Sequence, residues 1–186
     1  ILGFLLFCLY SCCRFGDGTR AHEPTLSQFQ HIILVETACS EYKTATGERR
    51  AVLLPLVALG SGLSGSGWAL SWMAARRASG LVGKTFLMPA DAENNDHWLD
   101  RRMTTAEGSY WLKDLLVLSG LKEPEASGFS THSLKATLLS WAAKSATFDL
   151  QERLILGHHL DEETKMAVTY SRDAIAATMV KVYQIG

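Results

Sequence analysis

Thirteen residues, ILGFLLFCLYSCC, open the chain, and the first charge comes only at Arg14. A helix that is apolar on every side must be buried, either in a protein core or in lipid. Crossing a bilayer takes about 20 apolar residues, and Arg14 arrives too soon for that. The segment also lacks the initiating Met and basic flank of a secretory signal. It therefore predicts a buried helix around which the rest of the fold must pack. Because the chain starts inside this helix, residues upstream of Ile1, amounting to a further domain, are expected.

At 186 residues, with 47% hydrophobic and 20% charged residues, the chain is long enough for one domain with a proper core. Its net charge of -1 excludes a protein that coats nucleic acid through bulk positive charge, but leaves room for a local basic cleft. The cysteines, Cys8, Cys12, Cys13 and Cys39, fit neither a zinc ribbon nor a disulfide framework. They read as buried thiols in a reducing, intracellular compartment, the nucleus if the cell is eukaryotic.

Gly16, Gly18 and Pro24 in CRFGDGTRAHEPT predict the end of the first helix and a loop. FQHIILVET, residues 29 to 37, reads as a strand. A second strand from Cys39 to Thr44 and a third in RRAVLLPLVAL, from Arg49, flank the turn TATGE, giving a small antiparallel sheet. GSGLSGSG, residues 60 to 67, has a flexible composition. GWALSWMAARRASGL is helical, with Arg76 and Arg77 on its later turns. Residues 83 to 103 read as extended and loop-like. From Thr104 the pattern is helical almost to the end, with Gly120 as a stop. The predicted fold is mostly α with a small antiparallel sheet near the N-terminus, an α+β class, over one domain spanning residues 1–186.

STHSLKATLLSWAAK, residues 130 to 144, combines an N-cap at Ser130 or Thr131 with an apolar face. His132 and Lys135, at i and i+3, share one side of its first turn. The unpaired N–H groups and positive dipole end there suit an anion such as a phosphate. Taken singly, each polar feature has a plain structural reading. Arg14 serves as a helix-end cation, Lys43 as a solvated charge and Lys135 as a snorkelling side chain. His158 then ends a capped helix and Tyr170 packs as an aromatic.

Their order along the chain resembles the catalytic domain of the tyrosine recombinase, or phage integrase, family. The likeness rests on Arg14 with Asp17 in R-x-x-D, Lys43 ahead of TATGE, His132 and Lys135 in HSLK, LGH ending at His158, and Tyr170. HSLKATLLSW and YSRD are similar to strings in mobile-element recombinases of unicellular eukaryotes. The resemblance implies DNA strand cleavage and rejoining through a 3′-phosphotyrosyl intermediate, on double-stranded DNA, by a homotetramer. It implies a separate N-terminal DNA-binding domain, absent here, and no cofactor. Tyr170 would be the nucleophile and His132 the proton acceptor. Arg14 and Lys135 would stabilise the transferring phosphate, His158 would donate a further hydrogen bond, and Lys43 would protonate the leaving 5′ oxygen. Asp17 reads as a structural partner that orients Arg14.

Two departures stand out: Lys135 occupies the place of a usual arginine, losing the planar fork that grips two oxygens, and the interval from His158 to Tyr170 is longer than common. A catalytically inactive mobile-element relic that only folds or binds DNA is the alternative reading, and a type IB topoisomerase-like enzyme a third. His159 with Asp161 invites a metal reading, but neighbouring side chains rarely converge on one ion and no other cluster supplies further ligands. The final stripe, Ile175, Met179 and Val182, predicts either a helix folded on its own core or, by the resemblance, one passed to a neighbouring protomer.

Overall fold

A computed structural model of the protein describes residues 1–42, 53–63, 65–92, 96–158 and 172–184. The opening run forms α1 (Leu2–Tyr10), with Phe4, Phe7 and Cys8 wholly buried. Among the described residues no helix is long and apolar enough to cross a membrane. After α1 the Ser11 hydroxyl donates to the Phe7 carbonyl at 2.7 Å, and Cys12 turns the chain in the left-handed region at φ 50°. Where the glycines predict a loop, a short helix follows, α2 (Phe15–Thr19), so Arg14 caps the start of α2 and does not end α1. Close packing explains the difference. A Cβ on Gly18 would lie 3.1 Å from the sulfurs of both Cys8 and Cys13.

Three antiparallel strands follow in the order β1 (Thr25–Phe29), β2 (Ile32–Cys39), β3 (Leu54–Leu59). β2 begins at Ile32 and runs unbroken through Cys39, so a separate strand does not start there. The β1–β2 hairpin was hidden because its two-residue loop has Gln30 at φ 56°, where the usual signal is glycine or asparagine. The turn TATGE lies outside the described residues.

Both faces of the sheet are covered, which is why LPLVAL shows no polar alternation. Val35, Cys39, Leu56 and Ala58 face one core, with Phe4, Phe7, Phe15, Trp68 and Trp72. Ile32, Leu34, Val57 and Leu59 face a second, with Leu138, Ala142, Leu156, Ile175, Met179 and Val182. The register keeps the two sets apart: Leu34 pairs with Leu59, and Val35 with Ala58.

The glycine-rich link is tied down more than its composition predicts. Gly60 N–H donates to the Ile33 carbonyl at 2.7 Å and Leu63 N–H to the Tyr10 hydroxyl at 3.3 Å. α3 (Trp68–Ala78) then packs on α1, and a Cβ on Gly3 would lie 2.3 Å from the Trp72 ring. Arg76 of α3 is buried. It donates to the carbonyls of Leu87 (2.7 Å) and Leu81 (3.2 Å) and pairs with Glu23 at 2.8 Å. A buried guanidinium needs such partners, and here they tie three segments together.

Within residues 83 to 103, predicted as extended and loop-like, β4 (Pro89–Asp91) and β5 (Trp98–Arg102) form a second, two-stranded sheet. α4 (Thr105–Leu118) starts with a full capping box between Thr104 and Glu107. A five-residue α5 (Glu123–Ser127) follows the stop at Gly120. α6 (Thr131–Lys144), α7 (Leu150–Leu156) and α8 (Arg172–Gln184) complete the described chain. The stripe Ile175, Met179 and Val182 is covered by the chain's own second core.

Candidate active site

Three segments far apart in sequence meet at a cavity of about 510 Å³: the start of α2, the β5–α4 junction and the first turn of α6. Arg14, His132 and Lys135 all line it. Arg14 is extended, φ −69° and ψ 139°, and its guanidinium lies 3.7 Å from the buried carboxylate of Asp17. Phe15 fixes this placement. Its ring meets Phe4 edge-on at 5.4 Å, and a Cβ on Gly108 of α4 would lie 2.2 Å from it. Gly108 thus serves close approach of α4 to α2.

The front of α6 is held from α4. Thr131 N–H donates to the Ser109 hydroxyl at 3.2 Å, and Ser130 N–H to the Ser133 hydroxyl at 3.1 Å. Part of the donor set that sequence assigned to an anion is therefore already used. Leu134 faces the first core while Leu138 and Ala142 face the second, so α6 bridges them. His132 stands exposed at the cavity.

Lys135 is half-buried, and its ammonium donates to the Gly157 carbonyl at 2.7 Å. Burial, and next the charge of Arg14, hold its pKa below the ordinary lysine value. This contact brings the end of α7 to the cavity region. His158 follows directly, at φ 54°, with its N–H on the Ile155 carbonyl at 3.1 Å. Lys43 and Tyr170 lie outside the described residues, as do His159 and Asp161 of the metal reading. Among the described residues no group of three or more His, Cys, Asp or Glu side chains is placed to hold a metal ion.

Two further cations line the cavity that the sequence did not single out, Arg20 at the end of α2 and Arg102 at the end of β5. Arg101 pairs with Glu107 at 2.6 Å, so strand alternation turns Arg102 to the other side. That signal was legible only with β5 recognised as a strand. Among the described residues the cleft thus carries four basic side chains against one carboxylate, Asp17, on a chain whose net charge is -1. Such a concave site focuses positive potential and excludes anionic ligands less than the net charge implies. It can bind phosphate, stabilise charge developing on it, and accept a proton at His132.

The four thiols take no part in this chemistry. All are free and buried, and burial pushes Cys12 up to about 12 and Cys39 to about 11. No family model, no curated protein and no solved structure matches the chain.

Proposed function

We propose that the protein cleaves and rejoins DNA strands through a covalent phosphotyrosyl intermediate, as a tyrosine recombinase does. The observation that carries this reading is the meeting of Arg14, His132 and Lys135, from widely separated segments, in one cation-lined cavity. The order of these residues with Lys43, His158 and Tyr170 supplies the remaining groups.

In the proposed reaction the Tyr170 oxygen attacks the scissile phosphorus while His132 accepts the phenolic proton. The phosphorus–oxygen bond to the 5′ oxygen breaks, and Lys43 gives that oxygen a proton. Arg14 and Lys135 counter the charge on the nonbridging oxygens, with a hydrogen bond from His158. Rejoining reverses the steps with a new 5′ hydroxyl, so phosphodiester energy is conserved and no cofactor enters the balance. The proposed working assembly is a homotetramer on double-stranded DNA inside the cell.

The second reading, an inactive relic that binds DNA without cutting it, draws on Lys135. Its ammonium is already engaged by the Gly157 carbonyl, a contact that holds α6 to α7 whether or not phosphate is present.

The deciding experiment incubates the protein with nicked duplexes drawn from randomised sequence and recovers detergent-resistant protein–DNA adducts. Adduct from the wild type, absent from Tyr170→Phe, supports cleavage. Lys135→Arg should then preserve or raise adduct yield, and Lys135→Ala should lower the rate by about 10²–10³. Retained DNA binding with no adduct on any sequence would leave only the second reading.

A further inference from the structure

The charge of the cleft exceeds what one scissile phosphate requires. Among the described residues four cations, Arg14, Arg20, Arg102 and Lys135, face a single carboxylate, Asp17, which is paired with Arg14. Three net positive charges therefore remain, His132 aside, for a phosphodiester that carries one negative charge. Arg14 and Lys135 match that charge and the one that develops on it. One net positive charge is left over, and Arg20 and Arg102 are the two cations outside the set that the reaction uses.

Neither of those two guanidinium groups makes a hydrogen bond or ion pair among the described residues, whereas the other arginines near them are committed. Arg101 holds Glu107 with two hydrogen bonds of 2.6 and 3.0 Å, and Arg76 is buried on Glu23 and two carbonyls. Position separates Arg20 from Arg14 as well. Arg14 and Arg20 sit at opposite ends of α2, roughly 9 Å apart along a helix rising 1.5 Å per residue. Successive phosphates of one DNA strand advance by about 3.4 Å along the duplex, so the two ends of α2 reach different phosphates. A cavity of about 510 Å³ has room for more than the reacting group.

We infer that Arg20 and Arg102 form a second phosphate site, which holds the backbone phosphate next to the scissile one and sets the register of the strand in the cleft. The inference rests on the DNA reading above and goes beyond it by naming residues outside its catalytic set. Arg20 and Arg102 are binding residues that take no part in the bond exchange.

The test measures equilibrium binding of an intact, end-labelled duplex of mixed sequence against salt, which needs no cleavage. Arg20→Gln and Arg102→Gln should each weaken binding, and together they should reduce the slope of log K against log salt by about 0.9, the share of one phosphate. Arg20→Lys and Arg102→Lys should restore the slope, because a backbone phosphate accepts a point charge. Arg101→Gln is the control and should leave it unchanged. With nicked substrate, both glutamine variants should lose adduct at low DNA concentration and recover it as DNA is raised, whereas Lys135→Ala should stay slow at every concentration.

Unchanged slopes in folded glutamine variants would overturn the inference, as would slopes that lysine fails to restore. A rate loss at saturating DNA with binding intact would overturn it too, by making the two arginines catalytic. If the slopes fall as expected but no adduct forms from the wild type, the second phosphate site stands and the cleavage reading fails.

Discussion

The two faces of the central sheet are packed by different chemistry and from different parts of the chain. The first core is aromatic, with Phe4, Phe7, Phe15, Trp68 and Trp72 clustered around α1. Its rings stack or meet edge-on, Phe7 against Trp72 at 5.7 Å and Phe4 against Phe15 at 5.4 Å. The second is mainly aliphatic and brings Ile32, Leu34 and Leu59 onto α6, α7 and α8 from the far end of the chain. The cleft lies where the two meet. Phe15, next to Arg14, belongs to the first, while Lys135 is tethered through Gly157 to the helix end that packs in the second. The lesson is that the cation geometry depends on both cores holding their register through α6.

Removing residues 173 to 186 should have the largest effect. Ile175, Ala176, Met179 and Val182 are all 3% exposed or less. Large aliphatic side chains contribute about 1.5–3 kcal/mol each on burial, so the loss is of the order of a domain's whole stability. Cooperative melting by far-UV circular dichroism should disappear. A truncated chain that melts like the wild type would show that the stripe is not committed to its own core, and would revive its transfer to a neighbouring protomer.

Single core truncations sharpen the contrast. Phe7→Ala should cost about 3–5 kcal/mol and Leu138→Ala about 2–5 kcal/mol. Because α6 contributes to both cores, tryptophan fluorescence and circular dichroism should report one shared transition in each variant. Split transitions would mean that the cores open separately. Gly108→Ala should cost about 1–3 kcal/mol, since the added methyl must displace the Phe15 ring. It should also weaken duplex binding through Arg14, and binding at wild-type strength would detach Phe15 from the cleft.

The smallest effect is a pH dependence at the start of α4. The paired Arg101 guanidinium, with Thr104, holds the Glu107 carboxyl at about 2, below its ordinary 4.5. A depressed carboxyl stabilises the fold above its unfolded pKa, and that contribution is lost as pH falls from about 4.5 toward 2. Glu107→Gln should abolish this part of the acid profile, measured as melting temperature against pH. The pair is largely solvated, so the change is small.

Long elements were legible in the sequence and short ones were not. α1, α3, α4 and α6 each carry an uninterrupted apolar run, helical periodicity or a cap, because a long buried face must show it. α2 and α5 are five residues each, too short to show a period, and α2 uses glycine for packing against sulfur. The β1–β2 turn was hidden by Gln30 in a left-handed conformation. In the cleft, Arg14, His132 and Lys135 were marked by their spacing in short motifs. Arg20 and Arg102 belong to no motif, and the fold alone gathers them.

The four cysteines also turn the molecule into its own stopwatch. Cys8, Cys13 and Cys39 lie in the first core and Cys12 in the second. With the Cys12 thiol at about 12, only roughly one part in 10⁵ is thiolate at neutral pH, and that fraction is shielded from reagent. A thiol reagent therefore reads how often each sulfur is uncovered by opening of the chain. Mapping which cysteine is tagged first distinguishes the looser side of the sheet from the firmer one, with no substitution and no added probe site.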